Sequence, residues 1–361
     1  MKTKKWILFW LLSISSLVLI GVFNYIIDPY QQYRKATFYK LPYENEKELN
    51  AGLAKNFEYD SVVLGTSMMQ NFNITDLHNL LGFEKPIKLT MAGSSAYEQN
   101  IIFSTALRHQ TIKNVLIGID YLSYYGEIQR YKHGSSSFPT YLYDGSLLND
   151  YKYLVSSDTL GRSFEVLFNS KKDNWVYDYT KMYEWKSRTQ DKNLLTAIKK
   201  KWQERENFDR DAKEDEKKLV FLKKNFDYNI KPFIQNNKSI EFILFFPPYS
   251  ILAYKIYEDR GQLNDFIKFK QYILNGLADF PNVKIYDFQF ADEITFDLHK
   301  YYDLYHYNKD VSLWMLEQIK NGTFKVDSKF EKESSIQFLK KISEYNVTKK
   351  VFIENLYLFD N

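Results

Sequence analysis

The stretch Val62-Val63-Leu64-Gly65-Thr66-Ser67-Met68-Met69-Gln70-Asn71-Phe72 organises the rest of this sequence. It starts within an apolar run, Ser61 to Leu64, whose length and β-branched residues predict a buried strand. The run stops at Gly65, and Ser67 follows two residues later. A strand that ends in Gly-x-Ser places its serine at the carboxyl edge of a sheet, where open α/β folds bind their ligands. The same pattern also fits an ordinary strand-to-helix turn with Ser67 as N-cap, so both interpretations stay open.

A second block lies far downstream, in Tyr302-Asp303-Leu304-Tyr305-His306-Tyr307-Asn308. Asp303 and His306 are three residues apart, so on a loop or a first helical turn their side chains can lie side by side. The carboxylate can then hold one imidazole nitrogen while the other nitrogen faces a hydroxyl. A serine needs such a base because its own hydroxyl is a weak nucleophile at neutral pH. We therefore predict Ser67, His306 and Asp303 as a catalytic set.

Two alternatives to this set stay open. Asp297-Leu298-His299 is a neighbouring Asp and His pair. On a helix a spacing of two turns the side chains apart, whereas a spacing of three brings them to one side, so His299 is the minor candidate. In the other alternative Asp303 is a surface residue, His306 is partly buried, and neither does chemistry.

Together the two blocks resemble the SGNH (GDSL-like) superfamily over roughly residues 55–320. In that superfamily the nucleophilic serine follows the first strand in a Gly-x-Ser block, and an Asp-x-x-His comes near the end of the domain. Within it, the chain is similar to membrane-anchored proteins that take part in acylating surface polymers. These are the teichoic-acid D-alanylation protein and the alginate and peptidoglycan O-acetylation proteins. The resemblance implies a flavodoxin-like, three-layer α/β/α domain with a parallel sheet.

The resemblance also implies an oxyanion hole that includes the N–H of Ser67 and of a glycine in the second block, which is Gly93 here. The third block of the superfamily carries an Asn whose amide completes the hole, but this chain has Asp120 there. An ionised carboxylate would repel an oxyanion, so either Ser123 or a backbone N–H replaces that amide, or the hole has two donors. Losing one donor typically costs about two to three decades in rate.

Three residues near these blocks are candidate contacts for the substrate. Asp120 follows the third predicted strand, Tyr249 follows the fourth, and Tyr305 lies inside the Asp-x-x-His block. All three are therefore expected at the carboxyl edge of the sheet, close to Ser67.

The amino terminus predicts a membrane anchor. Trp6 to Ile27 carries no charge and is long enough to cross a bilayer as a helix. Lysines precede the run, no small-x-small cleavage site follows it, and Asp28-Pro29 ends it. We expect an uncleaved, single-pass anchor of a bacterial cell membrane, with the amino terminus in the cytoplasm and the catalytic domain outside. Basic residues also follow the run, at Arg34, Lys35 and Lys40, and a core helix is the alternative.

Composition excludes several classes of protein. The chain has 361 residues, of which 45% are hydrophobic and 26% charged, as in a folded globular protein. A net charge of +4 is too small to argue for nucleic acid, and the absence of Cys removes thiolate catalysis and Cys-based zinc sites. His78, His109 and His133 have no clustered ligands, and no Gly-rich phosphate or dinucleotide loop occurs, so neither a metal nor a cofactor is expected. The chain has 30 Tyr and 28 Phe residues. Aromatic rings can contact sugars and membrane interfaces, although core packing accounts for most of these residues.

The pattern along the chain predicts an anchor at 1–28, a juxtamembrane linker at 29–54, the domain at 55–320 and a tail at 321–361. A helical or irregular cap is predicted at about 121–235, inserted over the carboxyl edge of the sheet. Its helices are expected to bury one face, at Leu194, Leu195, Ile198 and Trp202 and later at Leu219, Phe221 and Leu222. Further strands are predicted at Pro86–Thr90, Asn114–Asp120, Glu241–Phe246 and Val283–Phe288. Helices are predicted at Glu44–Lys55, Ile74–Leu81, Tyr97–Arg108, Leu263–Leu277, Lys309–Lys320 and Ser334–Ser343.

These features favour a membrane-anchored O-acyltransferase that acts on a cell-surface polysaccharide or cell-wall polymer through an acyl-Ser67 intermediate. The resemblance implies a polytopic membrane acyltransferase of the MBOAT type as its partner. One alternative is an esterase that removes acyl groups with the same residues, because the two reactions differ only in the access of water to the acyl-enzyme. The other is a non-catalytic glycan-binding scaffold, which would agree with the missing Asn.

Overall fold

A five-stranded parallel sheet, ordered β2-β1-β3-β4-β5, forms the centre of the computed structural model. The strands are β1 Ser61–Leu64, β2 Pro86–Lys88, β3 Asn114–Gly118, β4 Glu241–Phe246 and β5 Val283–Asp287. This is the flavodoxin-like order, in which the direction of winding reverses between β1 and β3 and ligands bind at the carboxyl ends beside that point. The predicted α/β fold with a parallel sheet is therefore confirmed.

The structure describes residues 2–134, 137–168, 175–185, 200, 202 and 217–347. The helical face predicted at Leu194, Leu195 and Ile198 lies outside the described residues, and so does the last part of the predicted tail. The helices are α1 Lys2–Ile27, α2 Glu46–Asn56, α3 Ile74–Leu81, α4 Ala96–His109, α5 Tyr151–Leu154, α6 Ser157–Phe168, α7 Lys217–Asn229, α8 Lys231–Asn236, α9 Ile251–Asp259, α10 Leu263–Leu277, α11 Asp292–Thr295, α12 Lys309–Asn321 and α13 Ser328–Glu344.

The helices cover the sheet in two groups. Right-handed crossovers between parallel strands place α3, which connects β1 to β2, on one face and the later connections α4, α7 and α10 on the other. In agreement, α3 packs against α12, while α4 packs against α7 and α7 against α10. The strands between them are almost wholly buried, as their β-branched and aromatic residues require.

Several predicted strands end earlier than expected because an acidic side chain starts a new turn. Asp120 follows β3, and its carboxylate accepts a hydrogen bond from the N–H of Leu122 at 3.2 Å. Asp287 ends β5 and accepts from the N–H of Gln289 at 3.0 Å. Each carboxylate caps a short 3-10 turn, so the chain leaves the sheet there.

Residues outside the predicted range of 55–320 also belong to the folded body. Helix α2 falls in the predicted linker, but its residues Leu49 to Ala54 are buried and it packs against α4. Helix α13 falls in the predicted tail, yet it packs against α9 and α10 with Phe338 and Ile342 buried. Both helices carry an apolar face that would be exposed to water without this packing.

The predicted cap at 121–235 is divided among different parts of the structure. Helix α7 and the short α8 are the crossover between β3 and β4, so they belong to the helical layer and not to a cap. Helices α5 and α6 pack against α1. Leu122, Ser123, Lys132 and Trp185 of this range line the cavity that contains Ser67. A further helix, α9, was not predicted; Ser250 caps it directly after the two prolines that end β4.

Helix α1 is long and apolar enough to cross a membrane over Thr3–Ile27. Its side chains are exposed over most of its length, from Trp6 at 61% to Ile26 at 51%. Burial begins only near its carboxyl end, where Asn24 and Ile27 are covered by the rest of the protein.

A glycine pair tests the packing of α2. A Cβ on Gly52 would lie 2.0 Å from the carbonyl oxygen of Tyr30 and 2.5 Å from that of Gln31, and backbone cannot move aside as a side chain does. We expect Gly52→Ala to lower the free energy of unfolding by about 1–3 kcal/mol or more. Gly161 in α6 has open space around its Cα, so Gly161→Ala should raise the free energy of unfolding by roughly 0.5–1 kcal/mol. Thermal unfolding of the full chain in detergent measures both, and equal shifts would contradict the described contact.

Candidate active site

Ser67 lies on a sharp turn at the carboxyl end of β1. Gly65 leaves the strand with φ of +141°, and a Cβ there would lie 2.7 Å from Cγ of Met69, so the turn requires glycine. Thr66 caps the 3-10 turn Ser67–Met69 by accepting a hydrogen bond from the N–H of Met68. Ser67 is partly exposed, whereas its neighbours on this turn are buried. The serine is therefore presented at the edge of the sheet.

The structure brings Ser67, His306 and Asp303 together. Oγ of Ser67 lies 2.8 Å from Nε2 of His306. Nδ1 of His306 lies 2.9 Å from one carboxylate oxygen of Asp303 and 3.1 Å from the other. The three groups thus form one continuous line of hydrogen bonds, in the geometry that a serine nucleophile and its base require.

The carboxyl group of Asp303 is ionised and positioned to hold the imidazole of His306. Burial alone would raise the pKa of its carboxyl group, but hydrogen bonds and charge interaction with His306 outweigh burial and hold that pKa well below its usual range. The N–H groups of Tyr305 and His306 also donate to Oδ1, at 2.8 and 2.9 Å. The carboxylate therefore stays ionised and fixes the orientation of the ring.

The loop that carries Asp303 and His306 is tied to the serine turn. Tyr301 and Tyr307 form an antiparallel bridge, and the N–H of Tyr302 donates to the carbonyl of His306 at 2.8 Å. The buried hydroxyl of Tyr307 donates to the carbonyl of Met68 at 2.5 Å. This last bond joins the two halves of the site directly.

Trp185 is a site residue that the sequence did not reveal. Its ring meets His306 edge to face at 4.7 Å, and its Nε1 donates to Oε1 of Gln70 at 2.7 Å. Its backbone N–H donates to Oδ1 of Asn71 at 3.0 Å. The sequence around Trp185, in an insertion rich in Tyr and Lys, gives no signal of this position, because the contact depends on how a long connection folds back.

The His299 alternative is not supported by this geometry. His299 is exposed and does not line the cavity that contains Ser67. The carboxylate of Asp297 accepts a hydrogen bond from the backbone N–H of His299 at 3.0 Å, as a cap of a short turn does.

Gly93 and Ser67 offer backbone donors on the same side of the sheet. The loop after β2 lies against the serine turn, since the N–H of Met91 donates to the carbonyl of Gly65 at 3.0 Å. Gly93 has φ of +63° and lines the cavity together with Ser67. Among the described residues, none accepts a hydrogen bond from the backbone N–H of Ser67 or Gly93. Both groups therefore remain available to a ligand.

Ser123, the other candidate donor, is used within the protein. Its hydroxyl donates to the carbonyl of Ser94 at 2.8 Å and accepts from Nε2 of Gln99 at 3.2 Å. A serine hydroxyl has one proton, so in this arrangement Ser123 does not direct a donor at Ser67.

Asp120 supports the site from below. It accepts hydrogen bonds from the hydroxyl of Thr66 at 2.8 Å and from the hydroxyl of Tyr249 at 2.5 Å. Asp120 and Tyr249, both expected as substrate contacts, line the cavity but are largely buried and bonded to each other. Burial raises the pKa of Tyr249 well above its usual value, which keeps its hydroxyl a donor. Tyr305, the third expected contact, lines the cavity and packs edge to face on Tyr249 at 5.8 Å.

A cavity of about 770 Å³ opens above Ser67 and His306. It is the size of a typical small-molecule site, and its rim includes Trp185, Tyr302 and Lys132. A neighbouring cavity of about 520 Å³ shares Lys132 and Trp185 with it, so the two cavities are adjacent. Within the described residues, no group of His, Asp and Glu is arranged to hold a metal ion.

No protein-family model matches this chain, and no curated protein matches it. Among solved structures, the chain is similar to one from Streptococcus pneumonia described as "a putative platelet activating factor". The identity is 9% and the TM-score 0.38, over 78% of this chain and 91% of that chain. Because that likeness is distant, the function of this chain has to be inferred from the geometry of its own site.

Lys88 offers a test of how the serine turn is supported. It is fully buried on β2, and its ammonium donates to the carbonyl of Gln70 at 2.7 Å. Burial lowers the pKa of Lys88 to about 7. The unfolded chain keeps this proton up to a pH of about 10.4, so between these values the unfolded state binds more protons and stability rises with pH. Below pH of about 7 both states are protonated and this dependence disappears.

We therefore expect Lys88→Met to flatten the rise of unfolding free energy between pH 7 and 10, by up to about 1.4 kcal/mol per pH unit. Unfolding of the detergent-solubilised chain at several pH values measures the slope. Lys85→Met, at an exposed lysine three residues earlier, is the control and should leave the slope unchanged. Equal slopes in the wild type and Lys88→Met would contradict a buried, easily neutralised lysine.

Proposed function

We propose that this chain is a membrane-anchored serine enzyme that transfers acyl groups through an ester on Ser67. The observation that carries the proposal is the line of hydrogen bonds from Asp303 through His306 to Ser67, at the floor of a cavity that a substrate can enter. Serine, imidazole and carboxylate in this order are the means by which unrelated folds activate a hydroxyl. A buried structural serine would not need an imidazole with its second nitrogen held by an ionised carboxylate.

The reaction follows from the geometry. Oγ of Ser67 attacks the acyl carbonyl carbon while Nε2 of His306 takes its proton, and Asp303 stabilises the imidazolium that forms. The negative charge that develops on the carbonyl oxygen faces the N–H groups of Ser67 and Gly93. His306 then returns the proton to the leaving oxygen, which departs and leaves acyl-Ser67. An acceptor hydroxyl, deprotonated by His306, attacks this ester; the bond to Oγ of Ser67 breaks, Oγ takes the proton back from His306, and the acyl group leaves on the acceptor.

The anchor supports a permanent place at the membrane. Asn24 and Asp28 at the end of α1 are fully buried. The carboxylate of Asp28 accepts hydrogen bonds from the N–H groups of Gln32 and Tyr33 and from the hydroxyl of Tyr153, each within 2.9 Å. Cleavage of α1 as a signal sequence would remove Asn24, which donates to the carbonyl of Leu154 at 2.7 Å and accepts from the hydroxyl of Ser163 at 2.9 Å. We infer an uncleaved single-pass anchor with its amino terminus in the cytoplasm and the domain outside.

A polysaccharide or cell-wall polymer is the proposed acceptor. Trp185 and Tyr302 stand at the rim of the cavity with ring centroids 5.7 Å apart, and such flat faces suit the apolar side of a sugar ring. The adjacent cavity of about 520 Å³, which also has Trp185 in its lining, offers room for a further sugar unit. A polytopic membrane acyltransferase of the MBOAT type, as the sequence resemblance implies, is the proposed source of the acyl group.

Asp297 and His299, the neighbouring Asp and His pair, provide matched controls for the catalytic set. A fluorophosphonate probe should label the purified full chain at Ser67, and Ser67→Ala should abolish the label. His306→Gln and Asp303→Asn should slow labelling by about three to four decades, as loss of the base or of its orienting carboxylate does. His299→Gln and Asp297→Asn make the same changes a few residues away and should label at the wild-type rate. Labelling that survives His306→Gln would refute the proposal.

Lys132 supplies a second test, because it stands beside the backbone donors. Its ammonium donates to the carbonyl of Ala92 at 2.7 Å and lies 2.8 Å from where a Cβ of Gly93 would be. It thus brings a positive charge close to the Gly93 amide. The site also contains Asp120, at the place where the resembled superfamily has an Asn. We expect Lys132→Met to slow the acylation burst with p-nitrophenyl acetate by about tenfold. Loss of an enclosed oxyanion donor typically lowers the rate by about two to three decades. The smaller effect is expected here because the ammonium of Lys132 is exposed.

The matched control for this test is Lys47→Met. Lys47 lines only the neighbouring cavity and donates to the carbonyl of Ser137 at 2.9 Å. It should leave the burst rate unchanged. Equal burst rates for Lys132→Met and the wild type would show that Lys132 takes no part in acylation.

The fate of the acyl group distinguishes transfer from hydrolysis. The half-life of acetyl-Ser67 is measured by mass spectrometry with and without an oligosaccharide acceptor. A transferase predicts a long-lived ester that the acceptor discharges. Rapid loss to water, unaffected by the acceptor, would instead identify an esterase, which the partial exposure of His306 and Asp303 permits.

A further inference from the structure

The surface around α5 and α6 carries an unusual concentration of exposed apolar side chains. Outside α1, the described part of the chain has twelve large hydrophobic residues that are exposed, and six of them fall within residues 147–168. We name these six the apolar collar: Leu147, Leu148, Tyr151, Val155, Phe164 and Phe168. Leu148 is 92% exposed and Leu147 is 78% exposed. A patch of this kind marks a surface that contacts something other than water.

Helix α6 has its polarity reversed relative to a helix of a water-soluble surface. The residues that it buries against the protein are Thr159, Arg162, Ser163 and Val166, three of them polar. Leu160, Phe164, Leu167 and Phe168 follow the helical spacing of one stripe, and this stripe faces outward or is only half covered. In water the opposite arrangement is expected, with polar residues outside.

Ser163 and Arg162 on the buried face of α6 have specific partners, although Nε of Arg162 has none among the described residues. Ser163 donates to Oδ1 of Asn24 at 2.9 Å. The guanidinium of Arg162 lies over the ring of Trp175 at 4.5 Å and contacts Glu165 at 3.2 Å. The reversal therefore belongs to the way the helix is built into the fold, because turning the helix over would bury the apolar stripe but strand these polar groups.

The collar lies beside the end of the membrane helix. Val155 approaches Gly21 of α1, with Cγ1 at 3.7 Å from where a Cβ would be, and Phe164 meets Phe23 at 5.1 Å between ring centroids. Gly21 precedes the end of α1 at Ile27 by six residues, or about 9 Å along the helix. If α1 crosses a bilayer, this contact falls at the level of the outer headgroups and the upper acyl chains.

We propose that the apolar collar is a membrane-interface surface and that α6 lies in the outer leaflet of the same bilayer that α1 crosses. Its polar face points to the protein and its phenylalanines enter the boundary between headgroups and acyl chains, as an interfacial helix does. Lipid is favoured as the occupant because the collar contacts α1, the helix long and apolar enough to cross a membrane, through Gly21 and Phe23. The protein then has two points of attachment, so its tilt and its height above the membrane are fixed.

The chain contains no cysteine, so single-cysteine variants can each carry one fluorescent label. The full chain is placed in nanodiscs of phosphatidylcholine and phosphatidylglycerol, with an environment-sensitive nitrobenzoxadiazole label at Leu148→Cys or Phe168→Cys. Ile336→Cys, at a residue 64% exposed on α13, is the matched control. Leu12→Cys in α1 is the reference inside the bilayer. All four positions are exposed, so these substitutions leave the core unchanged.

Labels at 148 and 168 should be quenched by lipids that carry a nitroxide on the acyl chain, at a depth of about 5–10 Å. Iodide in the water should quench them several-fold less than it quenches the label at 336. The proposal is overturned if iodide reaches 148 and 168 as readily as 336, which would leave the collar as a surface for a protein partner absent from these discs. It is equally overturned if the label at 12 is outside the acyl chains.

Discussion

The hydrogen bond between Ser67 and His306 is the constraint on which the site depends. It joins residues 239 positions apart and forms only because both segments end at the same edge of a parallel sheet. Parallel strands make this meeting a consequence of topology, since every β-to-α connection emerges at one edge. Local bonds then set the distance: Tyr307 fastens the histidine loop to Met68, and Lys88 holds the carbonyl of Gln70. The chemistry is thus positioned by the fold and adjusted by buried polar groups.

The features that the sequence predicts well are those set by neighbours in the chain. Strand β1 and the helices α3 and α10 have the predicted bounds. Gly65 follows β1, Asn73 and Gly82 cap α3, and the amphipathic periodicity of α10 marks its extent. The spacing of three residues between Asp303 and His306 also predicts that their side chains lie side by side, and this prediction needs no knowledge of the fold. Ser67 needed one further step, namely that a parallel sheet would bring its turn to the same edge.

The features that the sequence does not reveal depend on how distant segments pack. Trp185 reaches His306 from a connection whose path no periodicity records, and Lys132 approaches Gly93 in the same manner. The bounds of the inserted cap differed for a related reason, because α7 has the composition of a charged surface helix but serves as a crossover. The stripe on α6 shows the general difficulty: helical periodicity indicates an apolar face without telling whether protein or lipid covers it.

Asp120 shows how a carboxylate can be accommodated beside Ser67. A carboxylate at the place of an amide donor would weaken an oxyanion hole if its charge faced the cavity. Here Thr66, Tyr249 and the N–H of Leu122 all donate to it, so its oxygens are occupied and its charge is dispersed into hydrogen bonds. The hydrogen bond from the hydroxyl of Thr66 to Asp120 also holds the residue that precedes Ser67. The same side chain that removes a donor therefore stabilises the turn that presents Ser67, and Lys132 brings the opposite charge to the other side of the site.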